Sequence, residues 1–300
     1  MERTEWLEQR KKCIGASEAA AILGESDWAS PYSVWASKVG DVDTATESER
    51  MYWGKVLESP IADRFVEWAE DNIPAFGGIW GDGETLYTHK DYPFIGASPD
   101  RFVCNHDGEN IGLLEIKTTD GRNKADWTDE PPIAYQIQIQ QQLFVTGLKQ
   151  AWLAVLIGGN EFRVYEIEAN ERFQAVLVKQ LSHFWNDYVL TGTPPPVDGS
   201  PATARAIALL HPNDTGAEIE LEPDVWLPKL EQLERIRKAQ KRLEDHESVI
   251  LNELKSVISD STFAHVGDKT VSYKTQTRKA HEVKESTFRV LRIGKRKNNQ

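Results

Sequence analysis

The sequence predicts an α/β fold followed by a long C-terminal helix and a small β region, and three stretches carry that reading. Residues 100–104 and 111–117 flank His106-Asp107-Gly108-Glu109-Asn110, a turn of the Asp-Gly kind that closes hairpins, so they are expected to pair as antiparallel strands. Residues 133–146 read as a helix that starts after Pro132 and stops at Gly147, and they precede two strands, 151–157 and 162–167, joined by Gly158-Gly159-Asn160. Residues 226–259 read as one continuous helix. Its apolar positions, Leu227, Leu230, Leu233, Ile236, Leu243, Ile250, Leu254 and Val257, form a narrow stripe that Gln240 and Glu247 interrupt.

The other elements follow in chain order. Residues 3–12 look helical. Ser17 is a plausible N-cap for a second helix through Ala19, Ala20 and Ile22 that stops at Gly24; it serves either as a cap alone or as part of an anion site, since a helix N-terminus with a free hydroxyl suits phosphate. Residues 31–38 form a short helix with Tyr32, Val34 and Trp35 turned inward. Thr46, with Glu49 three residues on, makes a possible capping box for a helix reaching about Asn72, which Pro60 should kink or break near Ser59. Glu58 lies between Leu57 and Ile61, close to the buried side, and a glutamate is rarely buried without a partner. Residues 75–90, with Gly77, Gly78, Gly81 and Gly83, read as turns and short edge strands.

Residues 118–132 read as a polar loop carrying Arg122, Lys124 and Trp127. The helix after it places Ala134, Ile137, Gln138 and Gln141 on one flank, so at least one amide faces the core and needs partners there. Residues 171–190 form a long amphipathic helix that ends before Pro194-Pro195-Pro196. Those prolines and the residues to about Thr203 mark a boundary, followed by a helical piece at 202–210 and strands at 263–266, 270–275 and 288–293. The expected organisation is residues 1–197 as the main domain, 198–224 as linker, and 225–300 as a helix with a basic, β-rich tail.

Composition narrows the function classes. With 300 residues, 40% apolar, and ten Trp, the chain buries a sizeable core. No apolar run reaches the roughly 18 residues that span a bilayer, and the N-terminus lacks a signal-peptide core, so a cytoplasmic location without membrane contact is expected. Cys13 and Cys104 are the only cysteines, which fits a reducing compartment and cannot supply the four thiolates of an iron–sulfur cluster. A net charge of −12 argues against indiscriminate coating of nucleic acid. The distribution is uneven, however: residues 264–300 hold ten Lys or Arg against three acids, leaving −19 on the residues before them.

The chemistry concentrates in the first hairpin. Glu115 and Lys117 are two apart on a strand and project from one face, and the hairpin can bring Asp100 beside them. Two carboxylates in close approach resist joint ionisation, and a divalent cation with hard oxygen ligands, Mg²⁺ or Mn²⁺, removes the conflict while leaving positions for water and a phosphate. The alternative is an ordinary solvent-facing Glu-Lys pair on an amphipathic strand.

Five motifs in order, Gly15-Ala16-Ser17-Glu18, Trp53-Gly54-Lys55 with Glu58, Ser98-Pro99-Asp100, Glu115-Ile116-Lys117, and Tyr135 with Gln138 and Gln140, resemble the YqaJ-type viral recombinase nucleases, relatives of the lambda phage exonuclease, over about residues 5–190. The resemblance implies a restriction-endonuclease-like mixed sheet flanked by helices and 5′-to-3′ digestion of one strand of duplex DNA. It also implies a trimeric ring and an annealing protein that coats the remaining strand. Carried over by position, Asp100, Glu115 and the Ile116 carbonyl would hold Mg²⁺ (or Mn²⁺ in its place). Glu58 would assist through water or a second metal, Lys117 would orient and activate the attacking water, and Gln138 would help hold that arrangement. Arg10 and Ser17 match the positions that grip a 5′-phosphate, and Arg122 approximates a family arginine after the Glu-x-Lys strand. An endonuclease, a non-catalytic DNA-binding module or an interaction protein on the same fold are the alternatives.

The C-terminal 75 residues have no counterpart in the lambda enzyme, though similar helical-plus-basic tails occur in the YqaJ-type proteins that the chain resembles. Lys269, Lys274, Arg278, Lys279, Arg289 and Arg292, interleaved with Tyr273 and Phe288, suit a phosphate-contacting surface, or else a solvated tail that docks on the acidic body.

Overall fold

The computed structural model describes residues 11–40, 42, 48–278, 285 and 288–291. The chain divides into two units, Met1–Pro212 and Asn213–Gln300. In the first, helices α1 (Ala16–Ile22), α2 (Pro31–Val39) and α3 (Glu49–Asn72) precede strands β1 (Phe76–Trp80), β2 (Tyr87–Thr88), β3 (Gly96–Ala97), β4 (Arg101–Asn105) and β5 (Asn110–Thr119). Helix α4 (Ile133–Thr146), strands β6 (Gln150–Ile157) and β7 (Glu161–Glu168), and helices α5 (Glu171–Phe184) and α6 (Pro201–Leu210) complete it. The second unit holds α7 (Pro223–Ile258) and the hairpin β8 (Phe263–Val266) and β9 (Lys269–Ser272). Among the described residues no helix is long and apolar enough to cross a membrane.

The main sheet has the order β1-β4-β5-β6-β7. All neighbours are antiparallel except β5 and β6, which run parallel from Leu113 opposite Ala151 to Thr119 opposite Ile157, with α4 as the crossover. This is a mixed sheet flanked by helices, as expected. Alternation along the strands sorts the residues between two layers. Val103, Leu114, Ile116, Trp152 and Ala154 face α3, where Ile61, Phe65 and Ala69 pack on them. Phe102, Leu113, Leu153, Val155 and Tyr165 face α4 through Ile139 and Leu143. A third cluster joins α1, α2, α5 and α6.

Several elements differ from expectation. The cap of α1 is Gly15, whose N–H donates to the Glu18 carboxylate at 2.7 Å; Ser17 sits inside the first turn, because a glutamate three residues into a helix reaches back to the cap amide. Thr46 lies outside the described residues, and α3 is capped by Ser48, which accepts from the Met51 N–H. Pro60 does not break α3. The helix forgoes one hydrogen bond there, and burial of Ile61, Ala62, Phe65 and Ala69 just beyond holds the line.

The loop after β5 is more ordered than its polarity suggests. A 3₁₀ helix, Gly121–Asp126, is capped by Asp120, and Trp127 is buried between Tyr135 and Tyr165. Residues expected as linker include α6, whose Thr203 hydroxyl bonds Ser30 at 2.7 Å, so that piece belongs to the first unit. Residues 288–291 form no strand, and the helix expected over 3–12 falls almost wholly outside the described residues.

Gly112 shows how tightly the sheet is closed. A methyl there would stand 2.5 Å from Trp152 Cζ3 and 2.7 Å from the Gln150 carbonyl oxygen. The ring can yield, whereas the main chain of a paired strand cannot. Gly112→Ala is therefore expected to destabilise the first unit by about 1–3 kcal/mol. A urea unfolding midpoint unchanged from the parent would show that the sheet accommodates the methyl.

Candidate active site

The site grows from the β4–β5 hairpin. Asp100 precedes β4, and its Oδ2 accepts the Ile116 N–H at 2.7 Å across the strands, which fixes one carboxylate against the backbone of β5. Glu115 shares with Leu113 the face toward α4 and is only 2% exposed. Its Oε1 accepts from Lys117 Nζ at 2.5 Å and from Gln138 Nε2 at 2.6 Å, and its Oε2 from Gln142 Nε2 at 2.7 Å. Gln138 and Gln142 are four apart, so one face of α4 presents both amides to one carboxylate. A buried carboxylate is tolerable only with such partners. Lys117 also lies 5.6 Å from the centroid of the Tyr135 ring.

The electrostatics follow from this crowding. Burial, and next the Glu115 charge, push the Asp100 carboxyl up to about 8, against the pull of Lys117 and the Ile116 N–H; Glu58 adds a smaller push. Burial works against the Lys117 ammonium, but Glu115 and Asp100 more than compensate and hold it above its usual range.

Sequence reasoning thus brought together Asp100, Glu115, Ile116, Lys117 and Gln138, which the structure finds adjacent. Glu58 is nearby but engaged: its Oε1 accepts from Arg101 at 2.7 Å, and the same guanidinium donates to the Asp100 carbonyl at 2.5 Å. Among the described residues no group of three or more His, Cys, Asp or Glu side chains is arranged to hold a metal. The carboxylates stand instead as a pair, Asp100 and Glu115, with Glu58 turned to Arg101.

Arg101 and Gln142 were missed. The available signal for Gln142 was its spacing of four from Gln138; for Arg101 there was only its place beside Asp100. Gln140, although part of a quoted motif, donates to the Glu168 carbonyl and accepts the Asn170 N–H, and so holds the turn after β7.

Gln141 is fully buried and ties the layers together. Its amide donates to the carbonyls of Ile14 and Gly96 at 2.8 Å each. Ile14 also forms a bridge with Ile95, so α1, with Ser17 exposed in its first turn, is fastened to the segment leading into Asp100. Arg10 lies outside the described residues. Arg122 is exposed and paired with Asp120 at 3.0 Å.

In the second unit Lys274 lies 4.7 Å from the Phe263 ring centroid and Arg278 is exposed, while Lys279 is outside the described residues. A cleft of about 530 Å³ opens at the end of β5, lined among others by Arg50, Trp53 and Leu57 of α3 and by Thr118, Thr119 and Gly158.

Known proteins resemble this chain in sequence and in fold. The YqaJ-like viral recombinase domain matches residues 5–149. The "Uncharacterized protein YqaJ" of Bacillus subtilis (strain 168) is 32% identical over 283 residues, covering 91% of this chain and 84% of that protein. The crystal structure of an alkaline exonuclease (LHK-Exo) from Laribacter hongkongensis superposes with a TM-score of 0.50 at 19% identity, over 63% of this chain and 94% of that one. The structure of LHK-Exo in complex with dAMP matches equally, and at that identity both likenesses are of fold. With its motifs, its mixed sheet and this relative in agreement, the chain belongs to the YqaJ-like viral recombinase family.

Proposed function

We propose that this protein is a Mg²⁺-dependent nuclease that digests one strand of linear duplex DNA from the 5′ end, leaving a 3′ strand for annealing-type recombination. The observation that carries the reading is the cluster of Asp100, the buried Glu115 and Lys117 at the β4–β5 hairpin, in a chain of this family.

The donor set fits a hard divalent cation. Asp100 and Glu115 offer oxygens, the carboxyl of Asp100 resists ionisation beside Glu115, and one ammonium serves both. Asp100, Glu115 and the Ile116 carbonyl would hold Mg²⁺, or Mn²⁺ in its place, with Glu58 assisting through water. When bound, the cation would lower the pKa of water and neutralise charge on the phosphodiester.

The rest falls to the chain's own side chains. Lys117, kept charged by its neighbours, donates hydrogen bonds that orient water and steady the developing phosphoryl charge. Gln138 and Gln142 hold Glu115 in place from α4. Arg101 holds Glu58 at the edge of the site. The cleft beside β5 offers Arg50 to the backbone of a strand and Trp53 to a base. Arg122, Lys274, Arg278 and Lys279 are proposed phosphate contacts, a cytoplasmic location is proposed from the composition, and the ring-shaped homotrimer and the annealing partner come from the family resemblance.

The direct test is digestion of linear duplexes with and without 5′-phosphate, alongside covalently closed circles, in Mg²⁺. Loss of one strand from 5′-phosphorylated ends with circles intact is the expected result, and cutting of circles would replace the reading with an endonuclease. Ser17 and Arg10 are proposed to grip the 5′-phosphate. Ser17→Ala combined with Arg10→Ala should then erase the preference for 5′-phosphorylated ends while slow digestion persists. A double variant that still distinguishes the two ends would mean the phosphate is held elsewhere.

A further inference from the structure

Helix α7 runs for 36 residues, and of these only Ile258 is buried. Seven apolar residues, Trp226, Leu233, Ile236, Leu243, Ile250, Leu254 and Val257, fall on a single register of alternating steps of three and four along one face. That is the seam spacing of a paired helix. Leu243 is 70% exposed, Ile250 51% and Ile236 47%, while Leu233 is half-buried, so most of the seam is presented to solvent. The same register contains three polar residues, Lys229, Gln240 and Glu247, and Lys229 lies 4.8 Å from the Trp226 ring centroid, on the seam side.

Charge is segregated along the helix. From residue 223 to 242 stand Lys229, Arg235, Arg237, Lys238, Lys241 and Arg242 against Asp224, Glu231 and Glu234, a net of +3. From 243 to 258 stand Glu244, Asp245, Glu247 and Glu253 against Lys255, a net of −3. The terminal turns follow the helix dipole, with Asp224 in the first and Lys255 in the last, so the segregation lies in the body of the helix, where the dipole does not set it. The ion pairs within the helix, Glu231 with Arg235 and Lys241 with Asp245, occupy heptad positions away from the seam.

We propose that α7 pairs antiparallel with α7 of a second copy of this chain. A parallel pair would stack the basic halves on each other and the acidic halves likewise, whereas an antiparallel pair sets each basic half against an acidic one. Centred at the level of Lys238, the antiparallel register places Trp226 against Ile250, Leu233 against Leu243, and Ile236 against Gln240. It also sets Lys229 against Glu247, so that two seam residues unfavourable for a parallel pair become an ion pair made twice by the two-fold axis. The pairing is independent of the nuclease reading.

The test uses the full chain and sedimentation equilibrium at low and high salt. The parent should show twice the mass of Glu247→Lys and of Lys229→Glu at the same concentration, each single reversal weakening association on the order of tenfold or more. The double reversal should restore the parent's mass, since it exchanges the two charges without changing their pairing. A second measurement does not depend on charge: Leu233→Cys with Leu243→Cys, oxidised and mapped by mass spectrometry, should give bridges between position 233 of one copy and 243 of the other. Ten residues of helix span about 15 Å, so those two positions cannot join within one chain. Bridges of 233 to 233, no bridges at all, or a double reversal no better than the singles would each overturn the antiparallel pair. So would a parent chain whose mass matches the single reversals and that captures a different protein through α7.

Discussion

Lys117→Ala is expected to slow hydrolysis of linear duplex DNA on the order of 10²–10³-fold while DNA binding persists. The side chain supplies a charged donor that both carboxylates hold above its usual pKa, and alanine removes that donor without removing an oxygen ligand. The loss should therefore fall on the rate at saturating DNA and not on affinity. Lys117→Arg should recover little, because a planar guanidinium does not reproduce a compact ammonium at 2.5 Å from Glu115 Oε1. Single-turnover cleavage within about tenfold of the parent would remove Lys117 from the chemistry.

A larger loss is expected at the carboxylates. Asp100→Ala and Glu115→Ala should each leave no detectable Mg²⁺-dependent cleavage, and calorimetric titration with Mn²⁺ should show weakened binding. The two differ in what they do to the protein. Asp100→Ala frees the Ile116 N–H, a single donor, whereas Glu115→Ala strips the acceptor from Lys117, Gln138 and Gln142 together. Buried donors left unpaired cost about 1–3 kcal/mol each, so Glu115→Ala should also lower the unfolding midpoint, and Glu115→Gln, which keeps one acceptor oxygen but turns an amide N–H₂ toward a donor, should lower it less. Mn²⁺ affinity equal to the parent's in both alanine variants would place the cation elsewhere.

Much of this site was legible because its signals are local. The Asp-Gly turn set the hairpin, strand alternation put Glu115 and Lys117 on one face, and Pro132 and Gly147 bounded the helix that carries Gln138. The surprises come from partners distant in sequence. Arg101 matters through Glu58, 43 residues away, and no periodicity announces such a pair. Trp127 sits in a polar stretch that looked like open loop, yet the rings of Tyr135 and Tyr165 bury it. Pro60 violates helix propensity, but packing beyond it prevails over the one lost hydrogen bond. Ser17 lost the capping position because Glu18 reaches back to Gly15. The parallel pairing of β5 with β6 is a tertiary fact that no strand pattern distinguishes from an antiparallel one.

That crossover bears on when, during synthesis, the site can exist. Asp100, Arg101, Glu115, Lys117, Gln138 and Gln142 all fall within residues 100–142, so a nascent chain released as far as Thr146 already contains them. It lacks β6, however, and Leu113 to Thr119 of β5 would have an open edge where Ala151 to Ile157 belong. A strand with one unpaired edge holds a buried glutamate poorly, and without β6 the Ile139 and Leu143 side of α4 lacks Ala151, Leu153 and Val155 to pack on. The site therefore cannot close until the ribosome has delivered Ile157, and an unfinished chain carries the chemical groups without the means to align them.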